Sequence, residues 1–295
     1  MAIASYVPWW AKIGAKLTLS RLPVPYGVWS RLGIFRHGDM ADPVRAIGAF
    51  RTHLERARAV RAVPDGFTML ELGPGDSVLS AGVARALGAR ESWLSDAGDF
   101  ACRDPELFIA LDAVLSKEGL PSNDLPAGLS FEETLSRLNA HYLTGGVASL
   151  TAIPDRSVDL VWSSVVLEHV RRHEFPTLAA ELARILAPNG VMSHAVDLRD
   201  HLGGSLNNLR FSHERWEHPS WRDAGFYTNR MSQAEIIEVF ARAGFKAVDV
   251  RDDLWPGPPL DRTKVHTSFR GRTDAELSIA GFDVVLVRAW ANPCA

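Results

Sequence analysis

The stretch that most constrains the fold is Met69-Leu70-Glu71-Leu72-Gly73-Pro74-Gly75-Asp76-Ser77, a short apolar run broken by two glycines among acids. The run at 67–72 follows the breaker Pro64-Asp65-Gly66 and reads as a buried strand. Val78, Val83, Ala84, Ala86 and Leu87 then suit a helix that stops at Gly88. A strand that ends in Gly-x-Gly and opens a helix brings bare backbone close to a ligand, because glycine has no Cβ and tolerates positive φ.

The rest of the chain repeats this alternation. Asp42-Pro43 starts a helix that carries Val44, Ile47, Phe50 and Leu54 at helical spacing to about residue 60. A short strand at 92–95 stops at Asp96. Residues 100–140 hold two expected helices, 105–118 and 131–140, separated by a loop at 120–129. A buried strand at 157–164, an amphipathic helix at 174–186 and an apolar strand at 190–198 follow, the last entered through Pro188-Asn189-Gly190. A helix at 233–243 and strands at 247–250 and 282–289 close the pattern. Alternation of this kind calls for an α/β fold, a mainly parallel sheet with helices on both faces. Ligands sit outside the carboxyl ends of such strands, where the winding reverses. The chemistry is therefore expected at 71–77, Asp96, 163–169 and 197–201.

The glycine turn by itself is a weak signal. A dinucleotide fingerprint needs a third glycine in G-x-G-x-x-G, and Val78 stands there. Glu71 and Asp76 line the turn instead, and Asp96 ends the next strand about twenty residues on, where a carboxylate can take ribose hydroxyls. Acids repel a pyrophosphate and suit a ligand with an amino group and a sulfonium.

In these features the chain resembles the class I S-adenosylmethionine-dependent methyltransferases. The resemblance is carried by Glu71-Leu72-Gly73-Pro74-Gly75, Asp96, Asp159-Leu160-Val161, Leu167-Glu168-His169-Val170 and Leu186-Ala187-Pro188-Asn189-Gly190-Val191, in the family's order over about residues 67–198. It implies a Rossmann-like seven-stranded sheet, mostly parallel, with an antiparallel C-terminal hairpin strand. It also implies S-adenosyl-L-methionine as cofactor. Glu71 would hold the methionine amino group, Gly73 and Gly75 would admit the cofactor to the backbone, and Asp96 would bind the ribose. Ser163 would flank the methionine end, and 147–150, with Ala148 and Ser149, would lie near the adenine. The family often has an acid before the adenine position, whereas this chain reads Gly145-Gly146-Val147-Ala148-Ser149.

Methyl transfer to a hydroxyl needs a base. Ser193-His194-Ala195-Val196-Asp197-Leu198-Arg199-Asp200-His201 is the densest candidate region. Strand alternation puts Ser193, Ala195 and Asp197 on one face and Met192, His194 and Val196 on the other. His201 is the expected general base, with Asp197 or Asp200 orienting its ring and His194 as runner-up. No metal is expected, because these spacings match no ligand motif. Beyond lies a substrate lid at about 199–231, in which Arg210, Trp216, Asn229 and Arg230 suit a small polar or anionic acceptor, such as a sugar or a carboxylate.

A formal charge of −3 gives no reason to expect a nucleic acid, and the chain lacks the Asn/Asp-Pro-Pro-aromatic run of amino-methylating enzymes of nucleic acids. Two cysteines, Cys102 and Cys294, offer neither a disulfide framework nor a CxxC site, which fits a cytoplasmic protein. The chain divides into an arm at 1–38 and a catalytic domain at 39–295, with a helical insertion at about 100–140 and the lid. The arm mixes Lys12, Lys16, Arg21, Arg31 and Arg36 with Trp9, Trp10, Tyr26 and Trp29, and no acid precedes Asp39. It is expected to pack on the domain or on a second subunit of a homodimer, with peripheral membrane contact as the other reading. Two other functions remain open. One is a binding protein that keeps the pocket without catalysis; the other is an NAD or nucleotide-sugar oxidoreductase, against which the missing glycine and the absent Y-x-x-x-K pair argue.

Overall fold

The computed structural model describes residues 7–19 and 40–289. Seven strands form one sheet: β1 Thr68–Leu72, β2 Glu91–Ser95, β3 Ala140–Leu143, β4 Val158–Ser164, β5 Leu186–Asp197, β6 Phe245–Leu254 and β7 Ile279–Arg288. Their order is β3-β2-β1-β4-β5-β7-β6. The pairs from β3 to β5 are parallel, and β7 runs antiparallel to both β5 and β6. The winding reverses between β1 and β4, so the crevice outside their carboxyl ends is the expected ligand position.

The helices are α1 Trp9–Leu19, α2 Pro43–Val60, α3 Leu79–Ala86, α4 Glu106–Lys117, α5 Phe131–Arg137, α6 Phe175–Ile185 and α7 Gln233–Arg242. Asp42 caps α2 by accepting from the Val44 amide at 2.9 Å, one place before Pro43. On one sheet face, Phe50 and Leu54 of α2 and Val83 of α3 join Met69, Leu94 and Trp162 in one apolar cluster. On the other, Leu178 and Leu182 of α6 and Phe240 of α7 join Leu70, Val161 and Met192. Burial on both faces explains why the central strands read as unbroken apolar runs.

Two boundaries differ from the sequence reading. The helix expected to reach residue 140 ends at Arg137 because Asn139 turns left-handed, at φ 50°, and residues 140–143 become edge strand β3. A four-residue strand, half-buried over three positions, leaves too little alternation to detect. The last two strands extend beyond 247–250 and 282–289, and residues 255–278 between them form a second cap. Leu260, Val265, Phe269 and Leu277 of that cap bury Leu206 and Leu209 of the lid.

The described part of the arm packs on the lid. Ile13 of α1 is buried with Leu202, Trp216, Phe226 and Tyr227, and Lys16 Nζ donates to the Gly225 carbonyl at 2.9 Å. Trp9 meets Phe211 edge-on, while Trp10 is 63% exposed. Arg21, Tyr26, Trp29, Arg31, Arg36 and Cys294, which the sequence reading also names, lie outside the described residues. Among the described residues no helix is long and apolar enough to cross a membrane.

Candidate functional site

Sheet and turn bring the expected cofactor residues to one rim. Gly73 and Gly75 both have positive φ, 66° and 69°. A Cβ on Gly73 would stand 2.5 Å from Val166 Cγ2, so the β1 turn passes against the segment that leaves β4. The Gly75 amide donates to Asp96 Oδ2 at 2.9 Å, tying the turn to the end of β2. The Gly146 amide donates to the Asp96 carbonyl at 2.8 Å. Gly146 opens the 3₁₀ turn Gly146–Ala152, which carries Ala148 and Ser149, and Ser149 Oγ lies 3.4 Å from Ser95 Oγ. Glu71 is buried and bonded to the Ser80 hydroxyl; burial pushes its carboxyl up to about 8.

These residues fit an amino-bearing nucleoside. Both glycines adopt the left-handed backbone that the turn needs, and the buried Glu71 carboxyl and the strand-end Asp96 carboxylate flank them, the kinds of group that an ammonium and a ribose diol would pair with.

Ser163 departs from expectation. It is wholly buried and its hydroxyl bonds His194 Nδ1 at 2.8 Å, because alternation along β4 turns it into the α7 side of the sheet. The rim at the end of β4 begins instead with exposed Ser164 and with Val165, which is held at φ 58°.

His194 is likewise a core residue. Its ring stacks on Phe240 with centroids 5.8 Å apart, and burial pushes its pKa down to about 3. Ser193, on the opposite face, bonds His53 at 2.8 Å, so the alternation expected for this strand holds.

His201 reaches the rim, but neither aspartate orients it. Asp197 Oδ1 accepts from the backbone and guanidinium of Arg199 at 2.9 and 3.2 Å. Buried Asp200 accepts from the amides of Leu202, at 3.0 Å, Gly203, at 2.7 Å, and Asn207, and so shapes its own loop. The partner of the His201 ring is His169, with Nε2 atoms 3.2 Å apart. Burial and the charge of Lys16 lower the His201 pKa, against the raising effect of Asp197 and Asp200. His169 stood in the motif Leu167-Glu168-His169-Val170; only the fold shows that it faces His201. Its neighbour Glu168 is buried, with Oε2 unpartnered, and burial pushes it up to about 8.

Most of the expected acceptor residues hold the lid together. Trp216 is 1% exposed and its Nε1–H donates to the Thr228 carbonyl at 2.8 Å. Asn229 Nδ2 donates to the Leu167 and Val170 carbonyls at 2.8 and 2.9 Å, clamping the turn after β4. Arg230 is buried between Trp216 and Phe269, its Nη1 donating to the Phe211 carbonyl at 2.7 Å, and burial lowers its pKa to about 9. A side chain carrying that many internal bonds was chosen by the fold for the lid's integrity, and its residue type alone did not reveal this. Arg210 is half-buried, over the Trp9 ring at 5.0 Å and bonded to Asn207 Oδ1 at 2.9 Å.

Between α1 and the lid lies an open cleft of about 600 Å³. Trp9 and Lys12 form one wall, and His201, Gly203, Gly204 and Asn207 the other. The sequence did not mark Trp9 or Lys12 as site residues. Among the described residues no group of three or more His, Cys, Asp or Glu side chains is arranged to hold a metal ion.

Residues 127–193 match the family model of a methyltransferase domain. No curated protein matches the chain. Among solved structures, the chain is similar to a Haloferax volcanii methyltransferase solved in complex with a methyltransferase activator, at 22% identity over 85% of this chain and 96% of that one, with a TM-score of 0.42. An S-adenosylmethionine-dependent methyltransferase from Mesorhizobium loti is 16% identical over 79% and 96%, with a TM-score of 0.43. Geranyl diphosphate C-methyltransferase from Streptomyces coelicolor is 12% identical over 82% and 78%, with a TM-score of 0.44.

Proposed function

With the chain a class I S-adenosylmethionine-dependent methyltransferase, we propose that it methylates an oxygen of a small molecule or glycan, with His201 as general base. The observation that supports this reading is the position of His201: exposed, on the cleft between α1 and the lid, with its pKa lowered and Nδ1 without a partner among the described residues. A neutral imidazole with a lone pair available at the rim can accept the proton of an acceptor hydroxyl.

Glu71, Gly73, Gly75, Asp96, Ala148 and Ser149 would hold the cofactor. When bound, S-adenosylmethionine would supply an electrophilic methyl group for transfer to the acceptor oxygen. His201 takes the proton that this oxygen loses, so charge does not build on the acceptor. Trp9 offers an apolar wall, and Lys12 and Arg210 offer cations to an anionic group of the acceptor.

The test is a transfer assay with methyl-labelled S-adenosylmethionine and a panel of hydroxylated sugars and hydroxy acids. His201→Ala should lower turnover by ~10²-fold or more. Its affinity for S-adenosylhomocysteine by calorimetry should stay as in the parent. Unchanged turnover would remove His201 as base.

A further inference from the structure

His201 at the cleft and His169 beside it are bonded in a way that decides which nitrogen can act. A neutral imidazole has one N–H donor and one acceptor nitrogen. His169 Nδ1 lies 3.1 Å from the Tyr227 carbonyl oxygen, which can only accept, so Nδ1 carries the hydrogen. His169 Nε2 is then a lone pair. It faces His201 Nε2 at 3.2 Å, with the rings 9° from parallel, and two lone pairs repel at that distance. His201 must therefore carry its hydrogen on Nε2, which leaves Nδ1 as its basic nitrogen.

We infer that His169 is a positioning residue that holds His201 in the Nε2–H tautomer and so makes Nδ1 the nitrogen that meets the acceptor proton. This rests on the reading of His201 as the base. Each histidine is anchored by its own strand end. His169 sits in the turn after β4, where its amide donates to Val166 and where Asn229 clamps the flanking carbonyls. His201 sits in the loop after β5 that Asp200 closes.

The arrangement also serves the charged form. When Nδ1 gains a proton, Nε2–H remains a donor, and its bond to His169 strengthens because the donor is now cationic. Asp197 and Asp200 favour that cation, while Lys16 of α1 opposes it. No rearrangement of the pair is needed during the transfer.

The test uses the full chain labelled with [15N]histidine and saturated with S-adenosylhomocysteine. Long-range 1H–15N correlation spectra separate protonated from unprotonated ring nitrogens, and His201→Ala identifies the His201 signals. In the parent, His201 should show protonated Nε2 and unprotonated Nδ1. His169→Asn keeps a donor for the Tyr227 carbonyl but reaches no further, so His201 should shift to a tautomer mixture. His169→Gln places an amide oxygen near the lost Nε2 and should retain the parent pattern. Turnover should follow the spectra, lower by on the order of tenfold or more in His169→Asn and largely restored in His169→Gln.

A dominant Nδ1–H tautomer in the parent would overturn the inference without any variant. So would an unchanged His201 spectrum in a His169→Asn chain that binds S-adenosylhomocysteine as the parent does. The expected tautomer together with full turnover in His201→Ala would overturn instead the base reading on which the inference rests.

Discussion

The backbone amide of Gly75 donates to Asp96 Oδ2 at 2.9 Å, so the carboxylate expected to take the ribose also fastens the glycine turn to β2. Removing it acts on both. Hydrogen bonds to a charged group contribute about 1.5–3 kcal/mol each, which corresponds to a loss in affinity of roughly tenfold to a hundredfold. Asp96→Ala should weaken S-adenosylhomocysteine by that factor in calorimetry and lower Tm. Asp96→Asn, whose oxygen can still accept from Gly75, should recover most of the Tm. An unaltered affinity in Asp96→Ala would take Asp96 out of the cofactor site.

Gly73 joins a left-handed φ of 66° to a close approach of Val166. Gly73→Ala adds a Cβ 2.5 Å from a branched side chain whose own rotamer is stiff. Strain of about 1–3 kcal/mol should appear as a lower urea midpoint. Gly88, with φ 99° and open space around it, has only the conformational part of that penalty. Gly88→Ala should therefore be milder, and equal losses at both sites would discount the Val166 contact.

If Glu71 meets the cofactor's amino group, binding should depend on pH. Its carboxyl is raised from 4.5 to about 8 by burial, so between those values the free protein holds a proton there. An amino-bearing ligand favours the carboxylate, and binding expels the proton. Affinity should rise as pH increases from about 5 toward 8, with proton release seen by calorimetry in buffers of different ionisation enthalpy. Glu71→Gln should bind more weakly and lose the slope. A slope that persists would transfer the effect to another group.

His53 and His194 lie on opposite faces of the sheet, both lowered from 6.5 to about 3, first by burial. A histidine held neutral in the fold costs nothing above 6.5, where the unfolded chain is neutral as well. As pH falls from 6.5 toward 3 only the unfolded chain takes up the proton, and stability declines. Urea midpoints should decline over that range. His194→Gln should flatten the decline in proportion to one of the two groups, and an unchanged profile would exclude it.

Ile13 fastens α1 to the lid among Leu202, Trp216 and Phe226. Ile13→Asp buries a charge there and should release α1, exposing it to limited proteolysis and removing the Trp9–Lys12 wall of the cleft. Sedimentation with anionic liposomes compares the two readings of the arm. Binding by the parent would support membrane contact, and none by either chain would leave packing on the domain.

The glycine turn, Asp96 and the helix-strand alternation were legible in the sequence because each is a local pattern: a strand period, a backbone conformation, a cap. Those patterns specified the fold class and drew the candidate cofactor residues toward one rim. The roles of single polar residues were not legible in the same way. Sequence position puts Ser163 at the rim and makes His194 the second candidate base, whereas the two pair across β4 and β5 in the core. Asp200 was read as a partner for His201, and it closes its own loop. Trp216, Asn229 and Arg230 were read as acceptor contacts, and they fasten the lid. A side chain's partner depends on which distant segment arrives beside it, and a residue's type and spacing carry no record of that arrival. His169 and His201, with 31 residues between them, met only when β4 and β5 paired and Asn229 and Asp200 set the two turns. The sequence alone determined that a mainly parallel α/β sheet with a glycine turn at its rim would form, because strand period and backbone conformation are local; tertiary structure alone decided that His169 and His201 meet.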